Sequence, residues 1–270
     1  MTIKIKAVGL LLLLALVCPS ARSENNKTDN GIEEKEKGFI TNTFSLSAGK
    51  AMRADTYLTP MHYNGWVSGF GYEHVRGLKR HPLLWTLNTG LLFDRTQNPV
   101  GNAEMLGLQL NARWSMAYRW ELNKVFEVGA GGSTWLNAGV LYLSRNGNNP
   151  AAANASWTVG ATAYATACFK LGKMPVRALY TADLPLVGAM FAPDYGQLYY
   201  EIYMGENKGL FTAAYWGKYL RFNQRLSFDL KIGRKWMRLG YEFDIVSTKV
   251  RGIVTRRMNN MFVLGLTIGE

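Results

Sequence analysis

The chain has 270 residues, 48% of them hydrophobic and 13% aromatic, and a net charge of +12; that is too apolar for a disordered polymer and enough for a sizeable folded body. Two cysteines exclude a disulfide-stapled scaffold, and three scattered histidines offer no metal or cofactor motif. The basic residues form no stripe interleaved with base-stacking aromatics, so nucleic acid is not an expected partner.

Residues 1–23 have the three parts of a secretory signal. Lys4 and Lys6 precede the apolar run Ala7 to Val17, and Ala21 and Ser23 suit a small-residue cleavage site. The apolar run of about eleven residues is too short for the roughly twenty that a spanning helix needs. Loss of Lys4, Lys6 and Arg22 with the leader takes the net charge from +12 to +9 and leaves Cys168 as the single cysteine. Lipidation of Cys18 is the alternative, disfavoured because Val17 replaces the small residue usually found before such a cysteine. Residues 24–38 carry five acidic and three lysine side chains around one large apolar residue, Ile32, and read as a flexible polar tail.

Residues 39–270 are expected to form one domain. Twelve strands are predicted, near 40–52, 63–76, 83–95, 104–120, 125–143, 154–171, 175–187, 198–205, 209–219, 222–232, 236–250 and 258–268, with ten as the alternative count. The fourth is the clearest. Leu106, Leu108, Leu110, Ala112, Trp114, Met116, Tyr118 and Trp120 occupy one face, and Gly107, Gln109, Asn111, Arg113, Ser115 and Arg119 the other. A helix starting at Leu106 would put Gln109 and Arg113 on its apolar stripe, which rules it out. Some sixteen alternating residues reach about 50 Å, far beyond an ordinary soluble strand and enough to cross a bilayer at a tilt.

The connections alternate as well. Tight turns at 77–82, 122–124, 172–174, 206–208 and 233–235 are predicted to alternate with longer loops at 53–62, 96–103, 144–153, 188–197 and 251–257. Short turns at one end and longer loops at the other are the habit of outer-membrane barrels, and an even strand number returns both termini to the short-turn end. Trp66, Tyr72, Trp85, Tyr118, Trp120, Tyr142, Trp157, Tyr219 and Trp236 fall near strand ends, as interfacial girdles require. The polar faces collect Arg113, Arg119, Glu127, Arg177, Asp183, Arg225, Asp229, Lys231, Arg238, Glu242 and Asp244, a candidate charge network for a lumen. Cys168 is expected to face that lumen beside Thr166.

The segment Ala192 to Ile202, reading APDYGQLYYEI, together with Ser247-Thr248-Lys249-Val250 and Ile253-Val254-Thr255-Arg256, resembles an uncharacterised family of exported Gram-negative proteins. The resemblance covers roughly the last eighty residues and implies a small outer-membrane β-barrel without an assigned activity. Glu270 departs from the terminal aromatic common in such barrels.

Catalytic signals are sparse. His62, in a predicted long loop, is the best placed base, but it lacks the Asn-x-x-His-Gln-Ser type of arrangement of outer-membrane phospholipases; His74 and His81 lie among Arg76, Lys79 and Arg80 and read as interfacial or solvated. Pro193, Asp194, Tyr195, Gly196, Gln197, Tyr199, Tyr200 and Glu201 form a candidate recognition loop able to stack on sugars or head groups. Gly129 to Gly132 lacks the following helix a phosphate loop needs.

The expectation is therefore an all-β, closed, antiparallel, up-and-down transmembrane barrel in a Gram-negative outer membrane, with a non-enzymatic role as a narrow pore or a plugged structural or recognition barrel. Its expected partners are membrane lipids and lipopolysaccharide, the barrel-assembly machinery and small solutes, with no cofactor. A lipid-modifying enzyme of phospholipase or deacylase type and a secreted soluble ligand-binding barrel are the alternatives. The last would put its apolar faces inside.

Overall fold

In the computed structural model, which describes residues 39–78, 81–147, 150–194, 204–205, 209–233 and 235–269, the period-two segments become eleven antiparallel strands. They are β1 (Ile40–Asp55), β2 (Thr59–Gly77), β3 (Leu83–Gln97), β4 (Glu104–Glu121), β5 (Phe126–Leu143) and β6 (Ala151–Leu171). The remainder are β7 (Met174–Phe191), β8 (Phe211–Tyr215), β9 (Tyr219–Ile232), β10 (Lys235–Val250) and β11 (Ile253–Gly269). Each long strand pairs with its sequence neighbours, and β1 pairs with β11 from Thr41↔Gly269 to Asp55↔Thr255, so the sheet closes on itself.

Ten strands close the ring. β7 meets β9 from Val176↔Leu230 to Asp183↔Asn223, and on the same edge meets β8 from Val187↔Tyr215 to Phe191↔Phe211. Both run antiparallel to β7, so β8 and β9 follow one line along the wall, interrupted by the turn at 216–218. The sequence signal at 209–219 and 222–232 therefore marks one interrupted line and not two reversing strands. The merger takes the count from twelve to eleven, and the pairing of β7 directly with β9, which closes the ring without the strand predicted at 198–205, takes it to the alternative of ten. The segment predicted at 198–205 lies largely outside the described residues.

The turns explain the tight connections. Leu171 pairs with Met174 across Gly172 and Lys173, with Gly172 at φ 63°. Asn123 Oδ1 accepts from the backbone N–H groups of Val125 and Phe126 at 2.8 and 2.9 Å, fixing the β4–β5 turn. At the opposite end two expected long loops are short: 56–58 joins β1 to β2, and Arg251 and Gly252 alone join β10 to β11. Their φ angles of 51° and 81° are those of a type I′ hairpin turn. These strands run on past the apolar belt, where alternation fades because neither face meets hydrocarbon.

The apolar faces point outward. Phe44, Leu46, Phe70, Leu110, Leu136, Phe262 and Leu264 are exposed, Phe262 at 73%, whereas Arg53, Asp183, Arg221, Asp229, Arg238 and Asp244 are each at most 3% exposed. A soluble ligand-binding barrel would show the reverse arrangement. Aromatic rings edge the outer band: Trp66 lies 5.7 Å from Phe93, Tyr118 5.0 Å from Trp120, and His74 5.1 Å from Trp85. From Leu106 to Tyr118 the β4 outer face spans about 40 Å of strand, or roughly 30 Å along the axis at a tilt of about 40°. Two expected girdle members do not belong to it. Tyr219 is buried among Met190, Ala214 and Val250, and Trp236 shares the inward face of β10 with Arg238 and stacks under Arg177 at 5.6 Å.

Candidate functional site

Because one face of every strand is withdrawn from solvent by closure, each polar residue there needs a partner across the lumen. Near the end where β1 begins and β11 finishes, Arg119 and Glu127 are 3.9 Å apart and Tyr164 donates to Glu127 at 2.8 Å. Cys168 is exposed opposite Arg177. Lys231 stacks on Trp236 at 5.7 Å and has no ion pair among the described residues, so it sits beside the network and outside its pairing.

Further in, the network becomes continuous. Arg238 grips Asp229 through two hydrogen bonds of 2.7 and 3.0 Å and also donates to Glu73. Arg177 holds the same Asp229 at 2.6 Å. Arg225 reaches Glu73 at 3.3 Å and Glu242 at 3.6 Å, and Asn223 donates to Glu242 at 2.9 Å. Glu73 lies on β2, and β1 and β11 intervene before β10 is reached. These bonds therefore cross the interior and do not run along the wall. Arg113 spans from β4 to Asp183 on β7 at 2.9 Å and to Thr162 at 2.8 Å. With the Asn88 amide turned to suit its neighbours, its nitrogen lies 2.8 Å from Glu73 and its oxygen 2.8 Å from Arg113, which joins the two groups.

Toward the far end Arg221 bonds Asp244 at 2.9 Å, donates to Asn137, and lies 3.7 Å over the ring of Trp135. Arg53 bonds Asp94 at 2.7 Å. The mixed-sign inner face expected from the strands is thus brought together for Arg113, Arg177, Asp183, Arg225, Asp229, Arg238, Glu242 and Asp244, with Arg119 and Glu127 as a pair at the mouth. Sequence reasoning missed Arg53, Glu73, Asp94, Arg221 and Arg257. Arg53 and Arg257 fell in predicted loops and Arg221 in a predicted gap between strands. Glu73 and Asp94 share the inward alternation of their strands, and that signal was available.

The other candidates separate. His62 is exposed, opposite Ala54 on the outer side of β2. His74 bonds Asn42 at 2.8 Å within the girdle, and His81 is exposed in the β2–β3 connection. A His62→Ala variant is expected to leave the lipid profile of the producing membrane unchanged by mass spectrometry; a shift in acyl-chain pattern would restore His62 as a base. Asp194 pairs with Arg251 at 3.2 Å, which also donates to the carbonyls of Ala192 and Gly209. Pro193 borders a cavity at that end. Tyr195, Gly196, Gln197, Tyr199, Tyr200 and Glu201 lie outside the described residues.

Solved structures with similar chain paths include the beta domain of the Bordetella autotransporter BrkA, with 11% identity and a TM-score of 0.44 over 85% of this chain and 98% of that one. The outer membrane protease OmpT from Escherichia coli gives 6% identity and a TM-score of 0.42 over 86% and 97%. The COG4313 outer membrane channel from Pseudomonas putida F1 gives 11% and 0.38 over 90% and 100%. No curated protein matches the sequence. A family model described as a protein of unknown function, DUF3316, matches residues 9–268.

Proposed function

The chain belongs to the DUF3316 family of proteins of unknown function, and for it we propose the role of an integral outer-membrane β-barrel whose lumen is closed by ion pairs, serving structure or surface recognition. The single observation that carries this reading is the inverted distribution of side chains, with leucines and phenylalanines outside and arginine–carboxylate pairs inside. In hydrocarbon every unpaired backbone group costs several kcal/mol, so only a sheet without edges can reside there, and the β1–β11 pairing removes the edges. The leader-like pattern of residues 1–23, a basic start before an apolar run, supports export to a Gram-negative outer membrane.

Closure favours a plug over a pore. Arg238, Glu73 and Arg225 join walls separated by at least two intervening strands, and each would have to abandon charged partners for a solute to pass. Reconstituted in planar bilayers, the protein is expected to give no steady single-channel current, and detergent is expected to be needed for its release from washed outer membranes. Sustained conductance would make it a pore. Release by salt or alkaline carbonate would remove it from the membrane altogether.

A further inference from the structure

At the end of the barrel where β1 finishes and β11 begins, two apolar clusters line the inner wall. One contains Tyr57, Tyr63, Met105 and Leu141, the other Met190, Tyr219 and Val250. Between them is a cavity of about 110 Å³ whose lining includes Leu141, Met190, Tyr219 and Val250, with the arginines Arg53 and Arg257 among its polar boundary.

The two arginines differ in their bonding. The terminal nitrogens of Arg53 are occupied by Asp94 at 2.7 Å and by the carbonyls of Met52 and Met258 at 2.9 and 3.2 Å, and its Nε alone has no acceptor among the described residues. Arg257 has one ionic neighbour, Asp244 at 3.7 Å, which lies outside hydrogen-bond distance and is already engaged by Arg221 at 2.9 Å. Its side chain is 11% exposed, and its Nε is buried with no acceptor among the described residues. Asn259, two residues along the same inward face and wholly buried, leaves both amide atoms without partners among the described residues. A buried guanidinium Nε without an acceptor, next to an unpartnered amide, is unfavourable, and an anion reaching Arg257 from the cavity would relieve it.

We propose that this cavity binds a small organic monocarboxylate, with the carboxylate accepting from Arg257 and a short apolar body lying between Tyr219, Met190 and Leu141. Three arginines border the cavity; Arg256 is exposed and solvated, Arg53 is paired, and Arg257 is the inward guanidinium without a hydrogen bond among the described residues, which matches one negative charge. Asp55 also lines the cavity, where it accepts from the Tyr57 N–H at 3.0 Å and has no guanidinium within ion-pair distance among the described residues. Its charge disfavours a dianion such as phosphate. A dry cavity of about 150 Å³ takes benzene, so the present one admits an apolar body of about four carbons. The inference concerns the interior alone and holds whether or not the barrel conducts.

The test is calorimetric titration of the folded, detergent-solubilised full chain with sodium butyrate, and in parallel with inorganic phosphate and butylamine. Saturable butyrate binding is expected, weakened at least tenfold in Arg257→Gln and strengthened in Asp55→Asn. Arg257 makes no hydrogen bond among the described residues, so the variant is expected to keep the heat-dependent gel mobility of the folded barrel. A second variant, Ala152→Leu, fills the cavity from β6 without removing a charge and is expected to abolish binding. Absence of saturable butyrate binding would overturn the proposal, as would equal affinity in Arg257→Gln or in Ala152→Leu, or tighter binding of phosphate or butylamine than of butyrate.

Discussion

Replacement of Arg238 by alanine is expected to destabilise the folded barrel by about 3–5 kcal/mol, the usual effect of removing one partner from a buried ion pair. Arg238 is 3% exposed and supplies two of the hydrogen bonds to Asp229 and one to Glu73. Without it Asp229 retains Arg177 and Glu73 retains Arg225, so two carboxylates remain in the interior with half their former compensation. Unfolding in urea from lipid vesicles, followed by tryptophan fluorescence, measures the change. Lys231→Ala, which removes a cation with no ion pair among the described residues, is the control and is expected to stay within about 0.5 kcal/mol. A loss below about 1 kcal/mol in Arg238→Ala would mean that water reaches the network and replaces the arginine.

The second large effect is expected on the outer surface, where Leu264→Arg should cost about 2–4 kcal/mol in the same vesicles. Leu264 is 52% exposed, pairs with Leu46 on β1 and Leu239 on β10, and lies well inside the band bounded by the aromatic rings. An arginine there meets lipid tails and has no inward route, since the adjacent Val263 takes the lumen side at 5% exposure. Were the wall to face water, the same substitution would be neutral or would raise solubility. That result would sink the lipid-facing assignment and the proposed location with it.

Most of the wall was legible because hydrocarbon on one side and a polar interior on the other impose a strict alternation. The strands predicted at 83–95, 104–120, 125–143 and 236–250 match β3, β4, β5 and β10 to within two residues at each end. Legibility stops where that contrast stops. Arg53 and Arg257 stand opposite each other in register on β1 and β11, beyond the lipid band, and their surroundings in sequence read as polar loops. The interruption around Gly217 has the residues of a turn, and local chemistry cannot say whether the chain reverses there or resumes its direction, as β9 does after β8. Residue type and position near strand ends predict Tyr219 and Trp236 in the girdle; their alternation with Arg221 and Arg238 assigns them inward. The cross-lumen pairing of Glu73 with Arg225 and Arg238 joins residues 152 and 165 positions apart, which no local pattern specifies.

The seam between β1 and β11 has a kinetic consequence. Thr43 and Thr267 touch through their hydroxyls at 2.7 Å across 224 positions of chain. Until the segment 253–269 arrives, β1 has no second neighbour and the partly zipped ribbon presents two raw edges together with its greasy outer side. Contacts of such long sequence separation form slowly, and in that interval the ribbon is vulnerable to self-association. For the outer-membrane location proposed above, an escort that shields the β1 edge and yields it only to β11 would remove that hazard.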